Sequence, residues 1–319
     1  MTSLDQQYNR IFKRILEEGK YTKDRTGVGS YSIFGASVRH NMDLGFPLIT
    51  TRKMWFKGIW YELFWMMGLH LNDEKYEEFG FDNIKFLVDN DIHIWNDWLL
   101  KKYQEEKSSE MTMEYFIDNI KYNDVFAKKY GYLGRIYGTQ WRSMRGVDDG
   151  MNLVYVDQLK DLIKGLRENP DSRRHKICAW NPVDFKHNFA ILPCCHHDMT
   201  FTSKLNEDGT RTLNLAFTMR SSDFFVAGNW NFAFYAILLK LVSVLTNHKA
   251  GELLYTGIDC HVYDSHLPAV RLQLMHEGKA NYPTLFVDDT IRELEDIQIG
   301  TVKLLNYQSD VAIKVDIAV

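Results

Sequence analysis

The stretch RTLNLAFTMRSSDFFVAGNWNFAFYAILLKLVSVLTNH, residues 211–248, carries the strongest fold signal in the chain. Its first nine residues alternate or run apolar, which predicts a β-strand with a buried face. Residues 231–248 are apolar on nearly all sides, which predicts a long helix in the protein core. Further strand patterns lie on both sides of this stretch. Together they favour an α+β fold with a mixed, mainly antiparallel sheet flanked by helices.

Helical patterns dominate the first half of the chain. Residues 3–19 predict an amphipathic helix, and residues 58–68 predict a second, buried helix. Residues 101–130 are rich in Lys, Glu and Tyr, and we interpret them as a solvated helical insertion rather than a separate domain. Because no linker or repeat divides the chain, residues 1–319 are expected to form a single domain.

The composition excludes several classes of protein. Of the 319 residues, 45% are hydrophobic and 25% are charged, and the net charge of -4 leaves no basic surface for polymeric nucleic acid. No apolar run is expected to reach transmembrane length, and the N-terminus lacks the apolar segment of a secretory signal. Cysteines are few, so a cytoplasmic location with reduced thiols is expected.

The segment AILPCCHHDM, residues 190–199, holds two cysteines and two histidines in four consecutive positions. Four consecutive side chains cannot converge on one tetrahedral ion, and no second spaced pair exists, so no metal site is expected. A nucleophilic thiol is the better chemical interpretation if a nearby cation favours the thiolate. A buried cysteine that only packs is the structural alternative.

Three arginine-bearing motifs could supply such a cation. Arg25 lies in DRTG, Arg173 and Arg174 lie in PDSRRH, and Arg220 precedes Ser221 in TMRSSD. Guanidinium and hydroxyl groups together are suited to a phosphate monoester dianion. Each arginine on its own is also compatible with an ordinary surface ion pair.

Four further polar residues stand in apolar surroundings. Glu62 lies in the second apolar helix, which suggests either general acid–base chemistry or a structural hydrogen bond. Asn231 opens the long apolar helix and could cap it, or its amide could bind a ring that presents one acceptor and one donor. His261 and Tyr263 alternate on one strand, where they could reach a ligand hydroxyl or form a satisfied core pair.

Eight motifs occur in the order in which thymidylate synthases carry them: DRTGVG, GFPLITTRK, YGTQWR, NPDSRRHKICAWNP, LPCCH, MRSSDFFVAGNWNFAFYAIL, HVYDSH and LLNYQSDVAIKVDIAV. The chain therefore resembles that family nearly from end to end. The resemblance implies the family's α+β fold and an obligate homodimer formed through the sheet face. It also implies transfer of a one-carbon unit from 5,10-methylenetetrahydrofolate to C5 of dUMP, without a metal.

The resemblance also implies roles for individual residues. In the family's motif the cysteine before the histidine is the nucleophile, which is Cys195 here, and the other implied catalytic residues are Glu62, Tyr137, His196 and Asn231. The implied nucleotide-binding residues are Arg25, Arg173, Arg174, Arg220, Ser221, Asp223, Asn231, His261 and Tyr263, with Arg173 and Arg174 reaching the phosphate site of the other subunit. The implied folate-side residues are Trp95, Asp223, Ala227, Trp230 and Val319.

Departures from the family pattern leave the product open. A sister branch, the phage pyrimidine-nucleotide hydroxymethylases, adds water instead of hydride to the methylene carbon. Ala227 and Trp230 replace a glycine and a phenylalanine and should crowd the folate, and Asn229, Thr200 or Asp198 could order a water. We therefore hypothesise that the products are 5-hydroxymethyl-dUMP and tetrahydrofolate, made by a phage-type enzyme. The alternative is a thymidylate synthase that makes dTMP and dihydrofolate.

Two other functions are open. A dCMP or CMP hydroxymethylase is disfavoured by Asn231, because an amide can accept from N3–H of uracil and donate to O4. A catalytically inactive relative that binds a nucleotide or RNA is disfavoured by the presence of Cys195 and the arginines, since a pure binder needs no thiolate.

Overall fold

The computed structural model describes residues 1–23 and 28–316. The chain divides into two compact units. Of the described residues, the first contains 1–60, 162–176 and 195–316, and the second contains 61–161 and 177–194. The interpretation of residues 1–319 as a single domain stays a prediction.

The described residues form the following regular elements. The helices are α1 Ser3–Glu18, α2 Phe56–Met66, α3 Glu74–Glu77, α4 Lys85–Asp89, α5 Asn96–Lys107, α6 Met113–Tyr122, α7 Asp124–Tyr130, α8 Tyr137–Ser143, α9 Gln158–Glu168, α10 Pro182–Lys186, α11 Gly228–Leu245 and α12 Leu267–Met275. The strands are β1 Lys20–Lys23, β2 Gly29–Asn41, β3 Met144–Val147, β4 Leu153–Val156, β5 Lys176–Cys178, β6 His196–Leu205, β7 Arg211–Asp223, β8 Lys249–Tyr263, β9 Thr284–Val287 and β10 Val302–Leu305. Short 3-10 helices lie at Met42–Leu44, Leu69–Asn72, Asp264–His266, Leu294–Asp296 and Ile299–Thr301.

The largest sheet of the described residues has the strand order β1-β2-β8-β7-β6-β5, and its strands β1, β2, β8, β7 and β6 belong to the first unit. The pairs β1–β2, β2–β8 and β6–β7 are antiparallel, and β7 and β8 are parallel. Helix α11 packs on one face of β7 and β8. The expected α+β class, with a mixed and mainly antiparallel sheet flanked by helices, is therefore confirmed.

Helix α11 is the core helix expected from the apolar stretch. It begins at Gly228, so Asn231 lies within its first turn and does not cap it. By length and composition alone this helix could cross a membrane, contrary to the sequence expectation, and 83% of the segment is buried inside the protein. The ring of Tyr235 stacks on Phe217 of β7 at a centroid distance of 4.0 Å. The helix therefore fills the interior on one side of the sheet.

One buried carboxylate fixes helix α1 to the chain that precedes α2. Thr2 caps α1, and a capping box joins Thr2 to Asp5. Asp5 is fully buried and also accepts hydrogen bonds from the backbone N–H and hydroxyl groups of Thr50 and Thr51. The segment that leads into Arg52 is thereby held in place.

The sheet presents a second face that does not carry α11. Across β6, β7 and β8, the neighbouring residues Thr200, Ala216 and Leu254 are half-buried on this face. Phe34 of β2 is 85% exposed and Ile258 of β8 is 39% exposed. These five uncharged residues define what we call the open face, and the exposed Arg39 lies beside Leu254 in the register of β2 and β8.

Residues 101–130 form most of α5 and the whole of α6 and α7 in the second unit. Tyr103, Phe116, Phe126 and Tyr130 pack against one another at ring-centroid distances between 4.8 and 6.4 Å. This cluster gives the segment a small apolar core of its own.

Candidate active site

Cys195 lies directly before β6, beside the C-terminal part of β7. The backbone N–H of Arg220 donates to the Cys195 carbonyl at 3.0 Å. The guanidinium Nη2 of Arg220 lies 3.7 Å from the half-buried Sγ of Cys195. A cation at this distance favours the thiolate, which is the nucleophilic form of cysteine.

His196 anchors the start of β6. Its side chain is buried, and Nδ1 lies 2.7 Å from the hydroxyl of Tyr235 on α11. Burial, with a smaller effect of the neighbouring His197, lowers the pKa of His196 to about 3. The imidazole is therefore neutral at physiological pH, and its contact with α11 holds the strand that follows the thiol.

A β-bulge lies at the beginning of β6. The register with β7 shifts between His196 and Asp198, so His197 is an extra residue in the strand. Because of this residue, His196 and Met199 can both be buried, while His197 and Asp198 are both half-buried. The Asp198 carboxylate pairs with Lys176 at 2.5 Å. Bulges of this kind redirect side chains next to functional sites.

The expected phosphate ligands lie in separate segments. Arg220 and Ser221 are consecutive and half-buried near the end of β7. Arg173 and Arg174 are exposed in the segment that precedes β5. Arg25 lies outside the described residues, as does Val319. Within one chain the structure therefore brings Arg220 to the cysteine, with Ser221 next to it on the strand, and leaves the arginine pair facing solvent.

Asn231 lies close to the same strand. It is buried, and its Nδ2 is 3.5 Å from the sulfur of Met219 on β7. Its backbone N–H donates to the carbonyl of Ala227, the residue directly before α11. The first turn of α11 therefore fixes the backbone of Asn231, which lies two residues after the buried Asn229.

Two further expected ligands end strand β8. The rings of His261 and Tyr263 lie 5.3 Å apart, and Nδ1 of His261 is 2.9 Å from Oδ1 of Asp259. In the parallel register of β7 and β8, His261 lies next to Asp223. The two strand ends therefore place imidazole, phenol and carboxylate groups close to one another.

Asp223 ends β7 in a largely enclosed position. Its side chain is 17% exposed, and its carboxylate accepts hydrogen bonds from the N–H groups of Phe225 and Val226. Burial raises the pKa of Asp223, against the lowering effect of the Val226 hydrogen bond and of the neighbouring His266. A carboxylate in such surroundings is suited to bind a polar ring edge that brings its own donors.

Arg52 is a further candidate site residue, which sequence reasoning did not single out. Its guanidinium lies 4.2 Å from the centre of the Phe225 ring and donates to the Phe225 carbonyl. Burial lowers the pKa of Arg52 to about 10, although the charge of Asp223 opposes this. Nε is buried and has no hydrogen-bond partner within the described part of the chain. The available signal was its position in the GFPLITTRK motif.

Two departures from the family pattern are accommodated by packing. The ring of Trp230 lies 6.3 Å from that of Trp55, and a Cβ on Gly58 would meet the Trp230 indole at 2.4 Å. The indole therefore occupies space that a glycine leaves open. The amide of Asn229 accepts from the N–H of Ile49 and donates to the Pro47 carbonyl, so it has a structural partner on each side.

The second unit holds the remaining expected site residues together. Nε1 of Trp95 donates to the carboxylate of Glu62 at 2.9 Å, and the rings of Trp95 and Tyr137 lie 6.2 Å apart. All three side chains are buried. Glu62 therefore has an indole donor in apolar surroundings, where a carboxyl group can serve in proton transfer.

No cluster of three His, Cys, Asp or Glu side chains that could hold an ion occurs within residues 1–23 and 28–316. The four cysteines, Cys178, Cys194, Cys195 and Cys260, are free thiols.

Comparison with known proteins gives a consistent result. The family described as thymidylate synthase matches residues 6–319. A thymidylate synthase of Mycoplasma mobile is 36% identical over 315 residues, which cover 98% of this chain and all of that protein. Thymidylate synthases of an aster yellows witches'-broom phytoplasma and of Leuconostoc mesenteroides are 35% and 33% identical, over 98% and 100% of this chain and 99% and 100% of their own.

Proposed function

The chain belongs to the thymidylate synthase family, and we propose that it methylates dUMP to dTMP while 5,10-methylenetetrahydrofolate becomes dihydrofolate. The family relation makes it a methylenetetrahydrofolate-dependent transferase that delivers a one-carbon unit to dUMP. The observation that carries the chemistry is the 3.7 Å approach of the Arg220 guanidinium to the Cys195 thiol.

The thiol explains how an unreactive ring carbon can accept a carbon unit. The Cys195 thiolate adds to C6 of uracil, and the C5–C6 π electrons move toward C5 and O4 to give an enolate. C5 is then nucleophilic and forms the new carbon–carbon bond. Loss of the C5 proton allows the carbon–nitrogen bond between the one-carbon unit and the folate to break. Hydride from the folate would then reduce the methylene carbon as the thiolate departs from C6, which restores the ring. Glu62 and Tyr137 would serve the proton transfers of this sequence.

Polar residues at the strand ends support recognition of the nucleotide. The amide of Asn231 can accept from N3–H and donate to O4 of uracil. His261 and Tyr263 would hold the sugar 3′-hydroxyl. Arg220 and Ser221 would bind the phosphate dianion.

The residues near Asp223 fit a folate. Arg52 presents a buried Nε without a hydrogen-bond partner in the described chain, and Asp223 offers a largely enclosed carboxylate. The aromatic pair Trp55 and Trp230 provides flat surfaces for a bicyclic ring. The bound folate supplies the one-carbon unit and the hydride that reduces it. We propose that three further residues also bind the folate: Ala227, Val319 and, in the second unit, Trp95.

The relatives and the packing both favour the methyl product over the hydroxymethyl product. The relatives are named thymidylate synthase. Among the three polar residues considered for holding a water, Asn229 is bonded to the backbone and Asp198 is paired with Lys176. The Trp230 indole lies against Gly58. These contacts remove most of the basis for expecting water to intercept the methylene group.

Product analysis tests this proposal directly. The protein is incubated with dUMP and methylenetetrahydrofolate, and the nucleotide and folate products are identified by mass and by the absorbance of dihydrofolate. We expect dTMP and dihydrofolate. Hydroxymethyl-dUMP with tetrahydrofolate would revive the hydroxymethylase hypothesis, and no release of tritium from 5-tritiated dUMP would indicate an inactive binder. Because a catalytic thiolate needs a reducing compartment, we place the reaction in the cytoplasm.

We further propose that the enzyme is a homodimer joined through the open face. Phe34 and Ile258 are exposed there, as expected of a surface that another copy covers. Arg173 and Arg174 face solvent and could reach the phosphate site of the partner subunit.

Hybrid dimers test both parts of the dimer proposal. Chains that carry Arg173→Ala with Arg174→Ala are mixed with Cys195→Ser chains after each is shown to be inactive alone. Recovery of activity on mixing is expected, because a hybrid then contains one complete site. A sedimentation profile of monomers, or no recovery between dimers that exchange, rejects the arrangement.

A further inference from the structure

The N-terminus of helix α8 is held by a carboxylate from a distant part of the second unit. Ile136, at the cap position of α8, offers no side-chain hydrogen bond. Asp82 takes its place: its carboxylate accepts from the N–H groups of Ile136 at 3.1 Å, Gly138 at 2.7 Å and Thr139 at 2.9 Å. A negative charge at a helix N-terminus is favourable, and N–H donors to a carboxylate form strong hydrogen bonds.

Two details indicate that this arrangement is tightly specified. Asp82 is 1% exposed and has a φ of 60°, in the left-handed region that non-glycine residues adopt only where the surroundings fix them. A Cβ on Gly138 would lie 2.9 Å from Oδ1 of Asp82. Glycine at position 138 therefore allows the backbone N–H to approach the carboxylate closely.

The first residue of the helix held in this way is Tyr137. Its side chain is 2% exposed, next to Trp95, which donates to the carboxylate of Glu62. A tyrosine on the first turn of a short helix can be displaced if that turn loses its anchor. We infer that Asp82 is a positioning residue for Tyr137, whose carboxylate fixes the phenol for the proton transfers assigned to Glu62 and Tyr137. This inference rests on the proposed function.

The charge state of Asp82 gives the inference a measurable signature. Burial raises the pKa of Asp82 to about 6, against the opposing hydrogen bonds from Thr139, Gly138 and Ile136. Below that pH one carboxyl oxygen carries a proton and meets N–H donors, so the anchor weakens.

The surrounding titratable groups do not obscure this signature. Tyr132, on the segment next to Asp82, has its pKa raised by burial and by the charge of Asp82, so it stays neutral. Arg135 and Asp184 beyond it form an ion pair.

The experiment compares kcat and KM for dUMP from about pH 5 to 9 in the wild type, Asp82→Asn and Asp184→Asn. Asp184 is a matched control, because it is also buried and accepts a hydrogen bond from α8, but from the side chain of Gln140 at 2.7 Å. For Asp82→Asn we expect kcat at pH 8 to fall roughly ten- to a hundredfold, because a small displacement of a catalytic group lowers the rate by about this factor. KM for dUMP should change little. The one-proton fall of kcat near pH 6 should disappear in this variant.

Asp184→Asn should lose thermal stability but keep the shape of the wild-type pH profile. Gly138→Ala, which crowds Oδ1 of Asp82, gives a second perturbation should Asp82→Asn fail to fold, and we expect it to lower kcat with KM retained. A wild-type kcat that is flat down to about pH 5, or an Asp82→Asn enzyme with wild-type kcat and profile, overturns the inference. A wild type without dUMP turnover would instead count against the proposed function itself.

Discussion

At the scale of single residues, reactivity and recognition depend on neighbours that sequence alone does not reveal. Cys195 becomes a candidate nucleophile because the adjacent strand brings Arg220 to its sulfur. His196 stands next in the chain, yet its burial makes it a neutral anchor. Arg52 was missed because a lone arginine in a motif carries no mark of its burial over Phe225.

Removing the cation beside the thiol should slow its reaction with alkylating agents. We expect Arg220→Gln to lower the rate at which iodoacetamide labels Cys195 at neutral pH by about tenfold, which corresponds to roughly 1.4 kcal/mol of charge stabilisation. Fragment-ion mass spectrometry of the labelled peptide separates Cys195 from the adjacent Cys194 and from the other cysteines. Arg211→Gln is the control, because Arg211 lies on the same strand and pairs with Asp171 instead. Equal labelling rates in the two variants would contradict this account of the thiol.

Changing the amide of Asn231 to a carboxylate should change the base that is preferred. An ionised Asp cannot donate to O4 of uracil but can accept from the amino group of cytosine, so Asn231→Asp should shift the ratio of kcat/KM toward dCMP by at least tenfold. Asn229→Asp is the matched control, because that amide is held by the backbone groups of Ile49 and Pro47. If uracil preference is unchanged in Asn231→Asp, Asn231 does not read the base.

At the scale of elements, side-chain periodicity predicted the type and the order of the helices and strands. Long-range hydrogen bonds fix the positions of these elements. The long apolar stretch became α11, although its start moved to Gly228 because the turn after β7 feeds directly into the helix. Asp5 and Asp82 were not singled out, since their partners at residues 50–51 and 136–139 lie far away in sequence. Local patterns cannot report contacts of this kind.

Loss of the Asp5 carboxylate should loosen α1 and the segment before Arg52 together. Asp5→Ala removes the acceptor for both Thr50 and Thr51 and leaves buried donors unpaired, which should cost about 3–5 kcal/mol of unfolding free energy. Urea denaturation measures this. Glu17→Ala on the exposed side of the same helix should change stability by less than about 0.5 kcal/mol. Similar midpoints for the two variants would show that Asp5 is dispensable.

At the scale of the whole molecule, buried imidazoles set the response to acid. Burial lowers the pKa of both His70 and His196 to about 3, while an unfolded histidine titrates near 6.5. The unfolded chain therefore binds more protons between these values. Stability is fully present above about pH 6.5 and is lost as the pH falls toward 3.

Unfolding free energies at about pH 7.5 and 5.5 test this response. Each histidine should lower the unfolding free energy by about 1.4 kcal/mol when the pH falls from about 7.5 to 5.5. The raised pKa of Asp82 acts in the opposite direction, because protonation of its carboxyl group favours the folded state, and should raise the unfolding free energy by less than about 1 kcal/mol. His70→Leu should show a shallower dependence, whereas His187→Gln, at an exposed position, should match the wild type. Identical slopes for wild type and His70→Leu would assign the acid response to other groups.

The bulge at His197 has a consequence for how this gene can change. Side chains alternate along a strand, so the one surplus residue determines which side of the sheet His196, at the start of β6, presents. An in-frame deletion of codon 197 would reverse the directions in which the preceding side chains point. His196 would then lose its contact with Tyr235, and the Cys195 thiol would move away from Arg220. Codon 197 should therefore accept many exchanges of amino acid but no deletion.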